Sequence, residues 1–226
     1  MGNTQVKRHR RKLLPEMEGP VARAYARGRG TEPQLVQYRE NAEMLASELA
    51  EGADVLEIAP GPGFFAVELA RTGRCAVTGL DVSRTFVQLA KEYAREQGVE
   101  VDFRRGDVAA MPFADGSFDF LICQAAFKNF ADPVDALDEM HRVLRPGGVA
   151  LVQDLNKSTT DAQLDAEVAR MDLGPVAAFT TVRTLRGLRR RAYTPEQFSA
   201  TVAESKFRTC EVTPDGIGLE VRMRKE

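Results

Sequence analysis

"VLEIAPGPGFFAVELA", residues 55–70, runs from a short apolar segment ending in a carboxylate, through a turn of alternating Pro and Gly, into a helical pattern. Strand, glycine turn and helix in that order form the unit from which parallel sheets are wound. Gly61, Gly63 and Ala66 fit the G-x-G-x-x-G/A spacing, in which glycines let backbone N–H groups approach a pyrophosphate at a helix N-terminus. Glu57 points to another ligand, because a carboxylate there would repel a pyrophosphate and attract an ammonium group. The glycine spacing alone also fits a tight turn with no ligand, so the remaining chain has to decide.

Outward from this stretch, strands and helices alternate. The pattern predicts strands over 54–58, 76–80, 101–105, 118–123 and 149–155, with a helix over 64–71 after the first. Ser83 caps the next helix, which buries Phe86, Leu89, Ala90 and Tyr93. Another opens at Asp132 and Pro133, carries Val134, Leu137, His141 and Leu144 on one stripe, and stops at Pro146-Gly147-Gly148. Upstream, Leu35, Tyr38, Ala42, Leu45 and Leu49 mark an amphipathic helix from about Pro33 to Gly52. Downstream, Thr194, Pro195 and Gln197 form a capping-box pattern ahead of the strand-like runs 207–212 and 218–224. The expectation is an α/β, Rossmann-like doubly wound fold. Its sheet is mostly parallel, with an antiparallel C-terminal strand and an N-terminal helical extension.

We divide the chain into a basic arm over 1–18, containing "KRHRRK" at 7–12, and one domain over 19–226. The domain comprises a helical cap over 19–52, a binding core over 53–156, a segment over 157–192 too long for a plain connection and suited to covering a site, and a C-terminal helix with strands over 193–226. With 43% hydrophobic and 28% charged residues and a net charge of -2, nothing in the bulk composition draws the chain to nucleic acid or an anionic membrane. No apolar run reaches membrane-spanning length and no signal peptide is evident, so a cytoplasmic location is expected. Cys75, Cys123 and Cys210 have no C-x-x-C spacing and read as buried free thiols; no metal is implied. The basic arm lacks interleaved aromatic residues, which argues against nucleic acid as a partner, while monomer and homodimer both stay open.

Three motifs agree in order and spacing: "EIAPGPG" at 57–63, "GDVAAMPFADGSFD" at 106–119 and "EMHRVLRPGG" at 139–148. Over residues 53–156 the chain resembles the class I S-adenosylmethionine-dependent methyltransferases, particularly the small-molecule branch that includes the ubiquinone and menaquinone biosynthesis methyltransferases. The resemblance implies S-adenosylmethionine as cofactor, with Glu57 toward its ammonium group and Ala59, Gly61, Gly63 and Phe64 along the turn. It implies Asp81, followed by Val82, on the ribose hydroxyls, Asp107 on the adenine amino group, Val108 against the ring and Gln124 near the reacting end. Ala59 departs from the family's usual first glycine, and it is expected to keep a negative φ in a slightly tighter loop. An NAD-dependent oxidoreductase and a cofactor-binding regulator without turnover are the other two readings of such a sheet.

Methyl transfer is a direct displacement in which alignment and desolvation lower much of the barrier, so no strong base is required. The expected acceptor is a small organic molecule methylated at oxygen or nitrogen. Its pocket is drawn from Phe127, Lys128, Asn129, Asp154 and Phe179. Relatives commonly carry a His pair where Lys128-Asn129 stands, and a desolvated Lys128 can serve as a base or hold an anion. Tyr25, with Arg27 and Arg29, can bring a hydroxyl and guanidinium groups over the cofactor. The cover segment is locally basic through Arg183, Arg186, Arg189, Arg190 and Arg191, which permits an acidic substrate and equally fits a solvated face.

Overall fold

The computed structural model describes residues 17–171 and 173–226. The basic run 7–12 and His9 lie outside the described residues. Strand β1 (Ala53–Ile58) is apolar almost throughout because both of its faces are covered. Val55 packs with Phe65 and Leu69, whereas Leu56 and Ile58 pack with Leu137 and Phe198 on the opposite side. The same alternation splits Phe120 and Ile122 of β4 (Phe118–Gln124) from Leu121 and Cys123.

Seven strands lie in the order β3-β2-β1-β4-β5-β7-β6. Strands β2 (Cys75–Asp81), β3 (Asp102–Arg105) and β5 (Leu144–Leu155) join β1 and β4 in parallel. Strand β7 (Gly218–Arg224) inserts antiparallel between β5 and β6 (Glu211–Asp215). One face carries α2 (Glu32–Glu48), α3 (Phe64–Arg71) and α4 (Arg84–Gln97); the other carries α5 (Pro133–Val143) and α8 (Pro195–Glu204). This is the expected doubly wound architecture. The strand order reverses between β1 and β4, and a sheet of this kind opens its ligand crevice there, beyond the strand carboxyl ends.

Two strands, β5 and β6, differ from the sequence reading by more than one residue at a boundary. β6 does not begin at Phe207: Arg208 takes φ +66° and the chain turns, with Lys206 N–H donating to Asp138, so the strand starts at Glu211. It then runs through Pro214, which an edge strand tolerates because its missing N–H can face outward. β5 reaches back to Leu144, with a register shift against β4 between Phe118 and Phe120, and Arg145 ties Asp54 to Asp119 at that end of the sheet. Cys123 is buried as expected, but the free thiols of Cys75 and Cys210 are only half-buried.

The cover segment is a helical hairpin of α6 (Asp161–Arg170) and α7 (Pro175–Arg189). Leu164 and Val168 of α6 are buried, but Met171, read as the third member of that stripe, is exposed just beyond the helix end. Arg186 and Arg189 of α7 pair with Asp161 and Asp165 of α6, fastening the hairpin. At the other end of the chain, α1 (Gly19–Arg29) lies against α4. Met17 and Glu18, grouped with the arm in the sequence reading, are anchored: Glu18 accepts from Arg84 N–H at 2.8 Å and Thr85 N–H at 3.0 Å, and Ser83 Oγ donates to the Met17 carbonyl at 2.7 Å. Among the described residues no helix is long and apolar enough to cross a membrane.

The seat of α3 against α4 depends on Gly63. Its φ is +80°, and a Cβ there would meet the Ala90 Cβ and the Phe103 ring, each at 2.7 Å. Gly63→Ala therefore combines a left-handed backbone strain of about 1 kcal/mol with overpacking of about 1–3 kcal/mol. We expect a loss of at least about 2 kcal/mol in urea unfolding; an unchanged midpoint and slope would show that α3 is not seated this way.

Candidate active site

The turn after β1 is held by a carboxylate from the end of β2. Gly61 N–H donates to Asp81 Oδ2 at 3.0 Å, and Ser83 N–H donates to Asp81 Oδ1 at 2.8 Å, so one side chain at the end of β2 fixes two loops. Ala59 adopts φ +56°, which corrects the expected negative value. Its N–H reaches the Leu80 carbonyl at 2.8 Å, and this bond across to β2 holds the residue in a conformation that strains a side chain by about 1–2 kcal/mol. Gly61 is also left-handed, with open space where a Cβ would stand.

Glu57 is 3% exposed. One carboxylate oxygen takes the Ala66 N–H, while Oε2 is buried without a partner. Burial, followed by the nearby Asp81 charge, pushes its pKa up to about 8. A buried carboxyl oxygen left open in this way is an incomplete site waiting for a partner.

Beyond β2 and β3, a cleft of about 140 Å³ lies between Ala59, Leu80, Val82, Asp107 and Val108, with Phe130 across it. Its volume suits a purine ring. Asp107 Oδ1 accepts from Ala109 N–H at 3.0 Å, which closes the loop on itself. Helix α5 then pins that loop: Glu139 accepts from Met111 N–H at 2.8 Å, and Arg142 donates to the Phe113 and Met111 carbonyls at 2.8 and 3.0 Å. The guanidinium of Arg142 holds the Glu139 carboxyl below its usual range. Two stretches that stood out separately in the sequence are thus one unit, the second serving as clamp for the first.

A larger cavity of about 860 Å³ opens between the sheet, α2 and α7. Its floor is a polar ladder across three neighbouring strands: Gln124 donates to Gln153 at 2.9 Å, Gln153 donates to Glu220 at 3.1 Å, and Arg222 joins Glu220 to Glu48 of α2. Its wall includes Tyr25 and Arg29 of α1, and Leu185 and Leu188 of α7. The Arg29 Nε is buried without a partner. Sequence reasoning missed Gln153, Glu220 and Arg222. The alternation in "GLEVRMR" carried the signal, since burying Leu219, Val221 and Met223 sends Glu220 and Arg222 to the opposite face.

The expected acceptor residues divide. Lys128 and Asp154 form an ion pair at 2.7 Å with side chains 4% and 5% exposed, and Lys128 Nζ also donates to the Ala125 carbonyl. A paired, donor-committed ammonium has no lone pair to offer, so Lys128 stands here as half of a buried clamp and not as a base. Asn129, at the end of the 3₁₀ turn Phe127–Asn129, borders both cavities. Phe127 does not reach them: it is wholly buried and stacks on Phe198 at 4.6 Å. Phe179 is 67% exposed, because α7 presents Thr180, Thr181 and Thr184 to the cavity instead. The Phe64 ring packs on Tyr38 and Tyr93 beneath Gly30, outside both cavities, and so anchors the α1–α2 corner.

Comparison with known proteins gives a consistent picture. The family described as "Methyltransferase domain" matches residues 56–152. The chain is 33% identical over 147 residues to the ubiquinone/menaquinone biosynthesis C-methyltransferase UbiE of Bdellovibrio bacteriovorus, covering 64% of this chain and 63% of that protein. It is 38% identical over 118 residues to the demethylmenaquinone methyltransferase of Thermus thermophilus, covering 52% and 53%. The chain thus spans about half the length of the curated relatives it matches. In fold it is similar to a SAM dependent methyltransferase from Aquifex aeolicus, with a TM-score of 0.68, 20% identity, and 88% and 96% of the two chains covered.

The state of Glu57 makes stability depend on pH. A carboxyl whose pKa rises on folding favours the folded state only while protonated. Its contribution is intact below the unfolded value of 4.5 and is lost as pH climbs through about 8. Glu57→Gln has no such charge to bury. Thermal unfolding across this range should show the variant gaining on the parent protein as pH rises; a difference independent of pH would mean that Glu57 is not buried as described.

Proposed function

We propose that the chain is a class I S-adenosylmethionine-dependent methyltransferase, the family that its core resembles, and that it moves a methyl group to an oxygen or nitrogen of a small organic acceptor held in the larger cavity. The observation that carries the proposal is the unpartnered Oε2 of Glu57 at the head of the glycine turn. An ammonium group completes it by favouring the ionised form of a carboxyl that burial otherwise drives toward protonation, and a pyrophosphate brings no such cation, which favours this cofactor over NAD. Asp81, which accepts from Gly61 N–H and Ser83 N–H at the end of β2, stands where the ribose hydroxyls would lie. Val82, Asp107 and Val108 frame the purine-sized cleft. The Arg29 guanidinium, with its buried Nε unpaired, suits a carboxylate.

The bound cofactor supplies an electrophilic methyl group on a sulfonium. What the chain supplies is position and dryness. Gln124, Gln153 and Glu220 orient a polar acceptor from the floor, Tyr25 meets it from α1, and α7 covers it. The charged groups of this cavity are largely neutralised in pairs, Lys128 with Asp154 and Arg222 with Glu48 and Glu220. A phenolate or a neutral amine needs no further base, which favours a heteroatom acceptor. A carbon acceptor is the second reading, favoured by the C-methyltransferase name of the Bdellovibrio relative; product mapping by NMR separates the two.

Titration calorimetry with S-adenosylmethionine and NAD tests the premise: the first should bind and the second should not. Asp81→Ala removes charge-assisted hydrogen bonds of about 1.5–3 kcal/mol each, so cofactor affinity should fall by at least about tenfold. Tight NAD binding, or an unchanged dissociation constant in a folded Asp81→Ala, would overturn the assignment.

Positioning without a base gives a second expectation. His141 stacks edge-on against Phe207 at 5.1 Å and lines neither cavity, while burial, Lys225 and Lys206 lower its pKa. A general base contributes about 10²–10⁴-fold in rate. His141→Gln should keep turnover within about tenfold in a labelled-cofactor assay, and a hundredfold loss in the folded variant would restore a histidine mechanism.

A further inference from the structure

Five arginines fall between residues 183 and 191, and tertiary structure sorts them. Arg186 and Arg189 are consumed by carboxylates of α6. Arg190 and Arg191 are not. They meet Lys157, which follows β5, at a concavity of about 430 Å³ walled by Phe130 and Tyr193. Among the described residues none of these three cations pairs with a carboxylate. Among the described residues, their one side-chain hydrogen bond runs from Arg191 Nη1 to Asn129 Oδ1, at 3.4 Å.

The position of this concavity carries the argument further than its charge. It shares Lys128 and Asn129 with the acceptor cavity, and Asn129, Phe130 and Ala131 with the purine-sized cleft. All three spaces therefore converge on the turn that follows β4, where acceptor and cofactor must meet. Three like charges brought to one concavity from two segments repel one another, and an anion between them relieves that repulsion. A planar guanidinium matches carboxylate and phosphate oxygens in particular, and Tyr193 and Phe130 give the carrier of such a group an aromatic wall. The chain's net charge of -2 means that this is a local arrangement and not a consequence of a basic protein.

We propose that Lys157, Arg190 and Arg191 form an oxyanion-reading subsite, so that the acceptor carries a carboxylate or phosphate group directed away from the atom that receives the methyl. This inference rests on the methyltransferase reading and narrows its substrate class.

The test uses the full chain and defined probes. Phenyl phosphate, inorganic phosphate and phenol are titrated by calorimetry at low salt into the parent protein and into the combined Lys157→Gln, Arg190→Gln, Arg191→Gln variant, with S-adenosylmethionine titrated in parallel. Phenyl phosphate should bind at least about tenfold more tightly than phenol, and the combined variant should lose that preference while its melting temperature and cofactor affinity stay in place. Should the combined variant fold poorly, Arg190→Gln and Arg191→Gln taken singly should each lose part of the preference. In turnover with labelled cofactor, an anionic acceptor should be favoured over its neutral analogue by a similar ratio, and that ratio should collapse in the variant. Retention of the full preference in the variant overturns the subsite. Inorganic phosphate binding as tightly as phenyl phosphate, with no preference among acceptors, overturns its acceptor role in favour of a free-anion site. Either result with cofactor binding intact leaves the methyltransferase reading standing, whereas absence of cofactor binding removes that reading instead.

Discussion

The Asp81 carboxylate is the constraint on which the site depends. It accepts one backbone N–H from the turn after β1 and one from the turn after β2, so the two loops cannot move independently. Burial, reinforced by the nearby Asp81 charge, drives the second carboxyl, that of Glu57, toward protonation. The protein thus holds two acids in one crevice, of which Asp81 accepts backbone N–H groups from two loops and Glu57 has an open oxygen. A cation restores the balance. The strained Ala59 belongs to the same arrangement, since its left-handed φ is held by a bond to Leu80 on the strand that ends in Asp81.

The Lys128–Asp154 pair plays the corresponding part on the acceptor side. Asp154 Oδ2 accepts from the Lys128 backbone N–H at 2.9 Å while Oδ1 takes the ammonium, so the end of β5 grips the turn after β4 by both main chain and side chain. Removing one partner of a buried pair leaves an uncompensated charge and costs about 3–5 kcal/mol. Such a clamp gives conformational definition more than stability, and here it fixes the turn on which three cavities converge.

The covers are attached more lightly than the core. The N-terminal helix is docked onto α4 through Glu18, whose carboxylate caps the first turn of α4 from outside it, with its pKa lowered chiefly by the Thr85 hydroxyl. The α6–α7 hairpin is fastened by partly exposed ion pairs and a small apolar cluster around Leu155, Leu164 and Ala192. Exposed pairs of this kind contribute about 0–1 kcal/mol each. Of these wall elements α7 buries no residue and α1 buries only Ala22, so both are held less firmly than the sheet.

The sequence by itself determined the alternating strands and helices, the doubly wound sheet, the glycine turn with Glu57 and Asp81 at neighbouring strand ends, and the Asp107–Val108 loop. Each rests on residues close together in the chain, where periodicity and turn chemistry act locally. The same locality misled where packing overrides it. Phe127, Phe179 and Phe64 are equally aromatic in sequence, yet one is sealed in the core, one faces solvent and one anchors a helix corner. Lys128 gave no sign that Asp154, on the next strand, would neutralise it. Tertiary structure alone decided which of five neighbouring arginines are spent on carboxylates, and it assembled Gln124, Gln153, Glu220 and Arg222 into one floor. Strand register and helix docking set those choices, because they bring charges distant in the chain within a few ångströms, where pairing outweighs any local preference.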